Sequence, residues 1–263
     1  MPHPFDGIPF TELQSVDSTN NYALARVHAG LAQDGEAFFA HEQVSGKGQM
    51  GRKWSSQKGE NILLSIVHNP DPLLLSQQFQ LSAAVAVGLH DFYKNYGGDE
   101  TRIKWPNDLY WQDRKAAGIL IESVAGNKLS DSENLPADNQ GSGTWKWSVI
   151  GIGVNLNQTS FPADLINPVS LKQITGKSFE TVSMARELYS CISSRLLQLK
   201  KEGFANIYND YNSHLYKRNE TVKLKKDTRV FEAIIKSVSQ SGRLIVEHGI
   251  EEEFDFGQIE WPK

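Results

Sequence analysis

From Gly46 to Trp54 the chain reads Gly-Lys-Gly-Gln-Met-Gly-Arg-Lys-Trp, with three glycines, two lysines, an arginine and a closing tryptophan. Glycine lets a backbone take positive φ and lets a ligand approach its N–H groups closely. The cations Lys47, Arg52 and Lys53 suit a phosphate or a carboxylate, and the Trp54 indole suits a flat ring. Together they describe a clamp for an anionic, partly aromatic ligand. A basic surface turn has the same composition and is the simpler account of the loop alone. Context reverses that preference. Three more segments carry chemical groups: Asp17-Ser18-Thr19-Asn20; Lys104-Trp105-Pro106-Asn107-Asp108 leading to Lys115-Ala116-Ala117-Gly118; and Gly151-Ile152-Gly153-Val154-Asn155.

The elements that must position these groups are legible in the hydrophobic pattern. Strands are predicted over 11–16, 36–41 and 61–68, the last rich in Ile, Leu and Val and so buried. Asp17 to Asn20 offers N-cap chemistry ahead of a short helix over 21–29. Phe79, Ala83, Val87, Leu89 and Phe92 lie at helical spacing and predict a helix over 76–96, stopped by Gly97-Gly98. Short strands over 102–105 and 109–112 flank the turn chemistry of Pro106-Asn107-Asp108, and further strands follow over 115–124 and 145–157. Residues 126–144 between them are polar and read as an extended hairpin loop. Helices are expected over 184–201 and 204–216. From Asn219 onward four short strands (221–225, 229–238, 243–247, 253–256) are separated by turns at Lys226-Asp227 and Ser241-Gly242, about the size of a small β-barrel module.

A chain of 263 residues has room for one large domain and a small one. A net charge of -4 gives no support to general nucleic-acid binding. The single cysteine, Cys191, rules out a disulfide framework and a cysteine-based metal site, and its apolar helical flanks predict a buried structural thiol. Residues 1–10 lack the pattern of a signal peptide, and no apolar stretch approaches a membrane span. The expectation is a cytoplasmic protein with neither a DNA nor a membrane partner.

In this order and wording the four segments resemble the catalytic domain of bacterial biotin–protein ligases. The most specific part is Lys104-Trp105-Pro106-Asn107-Asp108 followed by Lys115-Ala116-Ala117-Gly118-Ile119-Leu120. The glycine loop and Gly151 to Asn157 add to it, and the likeness runs from about Thr11 to the C-terminus. The resemblance implies an α+β fold: a class II aminoacyl-tRNA synthetase-like mixed sheet with flanking helices over 1–215, and a small C-terminal SH3-like β-barrel over 216–263. It implies a two-step ligase using ATP, Mg²⁺ and biotin. Biotin is activated as biotinyl-5′-AMP, then transferred to a lysine of the biotin carboxyl carrier protein domain of a carboxylase such as acetyl-CoA carboxylase. The enzyme would be a monomer or weak homodimer.

Residue roles carry over by position. Lys115, Arg52 and Asp108 are the expected catalytic groups. Biotin's carboxylate and the α-phosphate repel, and one opposite charge at about 4 Å and an effective dielectric near 20 offsets roughly 4 kcal/mol; Lys115 has that task. Ser18, Thr19, Asn20, Gln43, Lys47, Gly48 and Gln49, with Lys115 and Gly118, are expected around biotin. Hydroxyls and amides suit its ureido group, which both donates and accepts. Arg52, Trp54, Asn107 and Asn155 are expected on the nucleotide side, Gly153 gives clearance, and Asp108 is the candidate metal ligand or amine-orienting group. Blander readings stand beside these: core packing for Trp54, an Asx turn for Asn107 and Asp108, a solvated lysine for Lys115.

Three departures from the family pattern stand out. Lys47 replaces a usual arginine; Gln49 and Met50 stand where the best-known members have two arginines, the first of which helps retain the adenylate. The chain also has only about ten residues ahead of the resemblance, so a helix-turn-helix domain is not expected. A lipoate– or octanoyl-protein transferase is the nearest rival in fold, but the Lys-Trp-Pro-Asn-Asp signature is not theirs. A P-loop is excluded because glycine, not Ser or Thr, follows Gly46-Lys47, and a Rossmann enzyme is disfavoured because no convincing helix follows the glycine loop. Retention of Lys115, Arg52 and Asp108 argues against a catalytically silent binding module or regulator.

Overall fold

The most apolar strands of the sequence form the middle of one large sheet in the computed structural model, which describes residues 7–126 and 145–262. Its strands are β1 (Phe10–Leu13), β2 (Ala37–Ala40), β3 (Ile62–His68), β4 (Thr101–Lys104), β5 (Asp108–Trp111), β6 (Arg114–Ala125) and β7 (Trp145–Val154). They lie in the order β1-β2-β3-β7-β6-β5-β4. β1 and β2 are parallel and every other neighbouring pair is antiparallel, so the sheet is mixed. The polar 126–144 loop lies, from residue 127 on, outside the described residues.

Side chains alternate between faces along a strand, and the two faces differ. One packs Ala37, Phe39, Ile62, Leu64, Ile66, Ile150, Ile152 and Val154 against α2 (Gln78–Gly97) and α4 (Thr181–Glu202). The other carries a separate apolar cluster at one end, where Phe38, Val67 and Val149 meet Ala23 and Val27 of α1 (Thr19–His28). Further along β3 and β7 that second face carries Leu63, Ser65, Gly151 and Gly153 instead, and it holds the site described below. Gly88 lets the two long helices close up, since a Cβ there would stand 2.9 Å from the Ile192 Cα.

Where element boundaries depart from the sequence expectation, polar capping or strand pairing explains the shift. α4 starts at Thr181, ahead of the expected Met184, because the Glu180 carboxylate accepts from the Val182 and Ser183 N–H groups at 3.0 and 2.6 Å. A short helix, α3 (Leu171–Thr175), went unpredicted although Ser170 and Gln173 form a capping box. α5 (Ala205–Ser213) ends early because the next residues pair with β4: Ile103 N–H donates to the His214 carbonyl at 2.8 Å, and Tyr216 N–H to the Ile103 carbonyl at 2.8 Å. That pairing covers an otherwise open sheet edge. Cys191 is half-buried rather than buried, and burial still pushes its thiol up to about 11, which suits an inert side chain.

A separate antiparallel sheet follows, ordered β11-β10-β9-β8, from β8 (Thr221–Lys226), β9 (Arg229–Val238), β10 (Leu244–Glu247) and β11 (Glu251–Phe254). Its buried Leu224, Ile235, Val238, Leu244, Val246 and Phe254 are continuous with the main core. Asn212 of α5 fastens it, donating to the Val238 carbonyl at 3.2 Å and accepting from the Val238 N–H at 2.7 Å.

His90 of α2 stacks on His214 with ring centroids 3.9 Å apart. Burial first, then the electrostatic influence of His90, Lys94 and Arg102, pulls His214 down to about 4, with Asp210 opposing. The unfolded chain therefore takes up the His214 proton near the ordinary 6.5 and the folded chain only near 4. The contribution of neutral His214 is complete above about pH 6.5 and is lost as pH falls toward about 4. Urea unfolding across that window should show a stability decline that His214→Gln makes shallower; equal slopes in both proteins would contradict this.

Candidate active site

Two rows of residues cross the second face of the sheet. One runs Leu63, Gly153, Gly118, Asp108, and the next runs Ser65, Gly151, Leu120, each set by direct strand pairing. The glycines clear the surface for side chains that arrive from outside the sheet. A Cβ on Gly151 would lie 2.3 Å from Asn20 Oδ1, and one on Gly153 would lie 2.4 Å from Trp54 Cε2. At Gly118 the nearest atom would be Trp54 Cζ3 at 3.2 Å. The Trp54 indole thus fills the clearance expected in front of Gly118 and Gly153.

Asn20 belongs to a buried polar network at the start of α1. Ser18, Thr19 and Asn20 are each no more than 3% exposed. Ser18 holds the N-cap position with an extended backbone but makes no capping bond, so the segment starts the helix without the expected side-chain cap. Gln43 Oε1 accepts from the Thr19 N–H at 2.8 Å and the Thr19 hydroxyl at 3.0 Å. Ser65 Oγ lies 2.7 Å from Thr19 Oγ1 and 2.6 Å from Asn20 Oδ1. Asn20 Nδ2 donates to Glu122 Oε2 at 2.7 Å, and Glu122 Oε1 stands 3.6 Å from Lys47 Nζ.

The glycine loop forms a tight hairpin. The Trp54 N–H donates to the Gly46 carbonyl at 2.9 Å and the Gly48 N–H to the Arg52 carbonyl at 2.7 Å. At its tip Met50 and Gly51 take positive φ, 53° and 74°, a conformation that explains the third glycine. The hairpin lays Lys47, Gly48, Gln49 and Trp54 over the pocket. Gln49 Oε1 and Trp54 Nε1 are buried there without a hydrogen-bond partner among the described residues. Orphaned polar atoms of this kind are costly unless something meets them.

The opposite wall comes from the β4–β5 turn and β6. Lys115 Nζ pairs with Asp108 Oδ1 at 2.7 Å, both half-buried at 32% and 22% side-chain exposure. The Lys115 ammonium lies 6.0 Å from the centroid of the Trp54 ring. Asn107 Nδ2 donates to the Ile119 carbonyl at 2.7 Å and the Ile119 N–H to the Asn107 carbonyl at 2.9 Å, which fixes the turn to β6.

One pocket therefore gathers Ser18, Thr19, Asn20, Gln43, Lys47, Gly48, Gln49, Trp54, Asn107, Asp108, Lys115 and Gly118 from segments far apart in sequence. Arg52 and Asn155 do not line it. Arg52 is exposed on the hairpin rim. Asn155 is buried behind, its Nδ2 donating to the Lys115 carbonyl at 3.3 Å. Sequence reasoning missed Ser65 and Glu122, yet each left a trace: a hydroxyl inside the apolar run 61–68, and a charge inside the strand 115–124.

Comparison with known proteins adds an independent line. The Biotin/lipoate A/B protein ligase family matches residues 12–132. A biotin--[acetyl-CoA-carboxylase] ligase of Paracoccus denitrificans is 31% identical over 242 residues, covering 89% of this chain and 92% of that protein. The bifunctional ligase/repressor BirA of Escherichia coli K12 is 29% identical over 257 residues, 97% of this chain and 74% of that one. Among solved structures, the Aquifex aeolicus biotin protein ligase in complex with biotin and ATP superposes with a TM-score of 0.76 at 25% identity, over 96% of this chain and 97% of that one. The Leishmania major ligase in complex with biotinyl-5-AMP shares the fold, with a TM-score of 0.62 at 22% identity over 94% and 98% of the two chains. The expected mixed sheet with flanking helices is present, with a separate small antiparallel sheet in the region of the expected SH3-like barrel, and these proteins share that fold.

Ser65→Ala should cost about 1–3 kcal/mol in urea unfolding, because Thr19 Oγ1 and Asn20 Oδ1 lose a buried partner. A loss below about 0.5 kcal/mol would mean that solvent replaces the hydroxyl.

Proposed function

This chain belongs to the biotin–protein ligase family, and we propose that it is an ATP-dependent ligase that activates biotin as biotinyl-5′-AMP and passes it to a lysine of a biotin carboxyl carrier protein. The observation that carries this reading is the Lys115–Asp108 pair at 2.7 Å, facing a pocket whose other end is lined by neutral hydroxyls and amides. In the first step a carboxylate oxygen of biotin bonds to the α-phosphorus and the bond to pyrophosphate breaks. The Lys115 ammonium stands where both anions must meet, and it lowers their repulsion before and during attack. In the second step the carrier amine bonds to the acyl carbon, the bond to AMP breaks, and the amine loses a proton.

Ser18, Thr19, Asn20 and Gln43, with Ser65 behind them, are the proposed partners of the ureido ring. Lys47, Gly48 and Gln49 close over it, and Gly118 leaves room for the Trp54 ring beside Lys115. Trp54 covers the adenylate side, its free indole N–H available to ligand. Arg52 on the hairpin rim is placed to pair with phosphate oxygens in a bidentate manner. Asn107 and Asn155 serve by holding backbone, the first at the turn and the second at Lys115. Asp108 steadies Lys115 and orients the incoming amine.

Among the described residues no three His, Cys, Asp or Glu side chains cluster to hold a metal ion. Asp108 is a lone carboxylate already engaged by Lys115. The described residues form no resident metal site, and Mg²⁺ would come with the nucleotide, whose phosphates supply its oxygens. No helix of the described residues is long and apolar enough to cross a membrane. The proposal is completed by a cytoplasmic location, a catalytic unit over 1–215, a small unit over 216–263, a carboxylase carrier domain as partner, no DNA partner, and a monomer or weak homodimer.

Biotin-dependent exchange of labelled pyrophosphate into ATP tests the reading, run beside lipoate and octanoate. Exchange with lipoate and not biotin would overturn it. Lys115→Ala should lower the biotin-dependent rate about 100- to 1000-fold, as loss of one transition-state donor does; near-normal exchange would remove Lys115 from the central role. Gln49→Arg should slow dissociation of biotinyl-AMP in a direct release measurement, because it restores a cation beside an anionic intermediate. An unchanged release rate would show that Gln49 does not set retention.

A further inference from the structure

Lys104 and Trp105 of the Lys104–Asp108 segment lie outside the pocket lining. Lys104 meets Trp261 near the end of the chain, and Trp105 meets Gly242 in the turn between β9 and β10. The Lys104 ammonium lies 4.3 Å from the Tyr110 ring centroid, 4.6 Å from that of Trp261 and 5.5 Å from that of Tyr216, and it donates to the Tyr110 hydroxyl at 3.2 Å. Trp105 Nε1 donates to the Gly242 carbonyl at 2.9 Å, and the Trp105 ring meets Phe256 edge to face. Gly242, with φ at 92°, is wedged so closely that a Cβ would lie 2.7 Å from the Phe79 ring.

A lysine in such a place needs a reason. Among the described residues Lys104 has no carboxylate within ion-pair range, and burial pulls its ammonium down to about 8, with Lys115 adding to that and Asp108 and Asp113 opposing. It is still charged at neutral pH. An apolar chain of equal length would fill the same space without the desolvation cost. What the charge adds is attraction to three aromatic faces, which come from β5, from the segment that follows α5, and from near the end of the chain. Lys104 is also the direct cross-strand partner of Asp108, so its position and that of the turn are linked.

We propose that Lys104 is a positioning residue: its ammonium, caged by Tyr110, Tyr216 and Trp261, ties the C-terminal segment to the β4–β5 turn and so holds Asp108 against Lys115. The small sheet then has a task in the site without touching the pocket. The activity readout rests on the ligase reading; the structural readout does not.

The test uses the full chain as Lys104→Met, Lys104→Arg and Trp261→Leu. Hydrogen exchange of residues 105–110, measured without substrate, should quicken about tenfold in Lys104→Met and in Trp261→Leu, as expected when a local anchor is lost. Lys104→Arg, which keeps the charge, should restore protection. In biotin-dependent pyrophosphate exchange, kcat of Lys104→Met should fall about tenfold while KM for biotin stays within about twofold, the pattern of a lost transition-state arrangement. Unchanged exchange at 105–110 overturns the proposal, and so does a loss confined to KM for biotin. A wild-type chain without biotin-dependent exchange would count against the ligase reading, while the hydrogen-exchange comparison still decides the tie. If Lys104→Met does not fold, Trp261→Leu decides by the same measurement.

Discussion

A methyl group at Gly151 or Gly153 would collide with the groups that make the site. The central strands of this sheet are otherwise filled with branched apolar side chains, and on the α1 side they would form a flat surface with nowhere to bind. Removing side chains at Gly118, Gly151 and Gly153 opens a trough that Asn20 enters from the helix and Trp54 from the hairpin. The polar network, the lid and the facing Lys115–Asp108 pair all take their positions from that steric allowance. Glycine in a strand interior weakens the strand by losing packing and backbone entropy. The weakening is tolerable here because both strands sit in mid-sheet, where hydrogen-bonded neighbours on each side hold them.

Charge balance in the pocket follows a matching logic. Lys115 faces Asp108 and Lys47 faces Glu122, so these cations each have a carboxylate nearby before any substrate arrives. Both pairs are partly open to solvent. Ion pairs of that kind contribute about 0–1 kcal/mol and are readily exchanged for a stronger anionic partner. A phosphate or carboxylate entering the pocket meets cations that are held in place but weakly committed. Arg52, exposed on the rim, adds a charge further out.

The hairpin combines constraint with freedom. Its base is fixed by backbone hydrogen bonds between Gly46 and Trp54 and between Gly48 and Arg52, while its tip exposes Met50 at 73%. Gln49 points inward with an unmet carbonyl. Gln49 and its neighbour Met50 are thus different in kind, one facing the pocket and one facing solvent. The C-terminal sheet enters the same economy from behind, through Trp105 and Lys104, whose neighbours Asn107 and Asp108 face the pocket.

Much of this was legible in the sequence. Strand and helix positions followed from periodicity, because apolar spacing is local and survives without knowledge of partners. The Lys104 to Gly118 run, the glycine loop and Gly151 to Asn155 together marked the family, since few chemistries need those residue types in that order. Boundaries slipped where side chains cap or pair at a distance, as with Glu180 ahead of α4 and His214 to Tyr216 along β4. Ser65 and Glu122 escaped notice because their importance lies in which strand stands beside them. The same is true of Lys104 and Trp105: one short segment supplies Asn107 and Asp108 to the pocket and these two to other surroundings, and sequence spacing does not say which is which. Composition and pattern determined what the chain could do and which segments would do it. Only tertiary structure decided which atoms meet, because those contacts join residues far apart in the chain, such as Asn20 and Glu122 or Trp105 and Gly242.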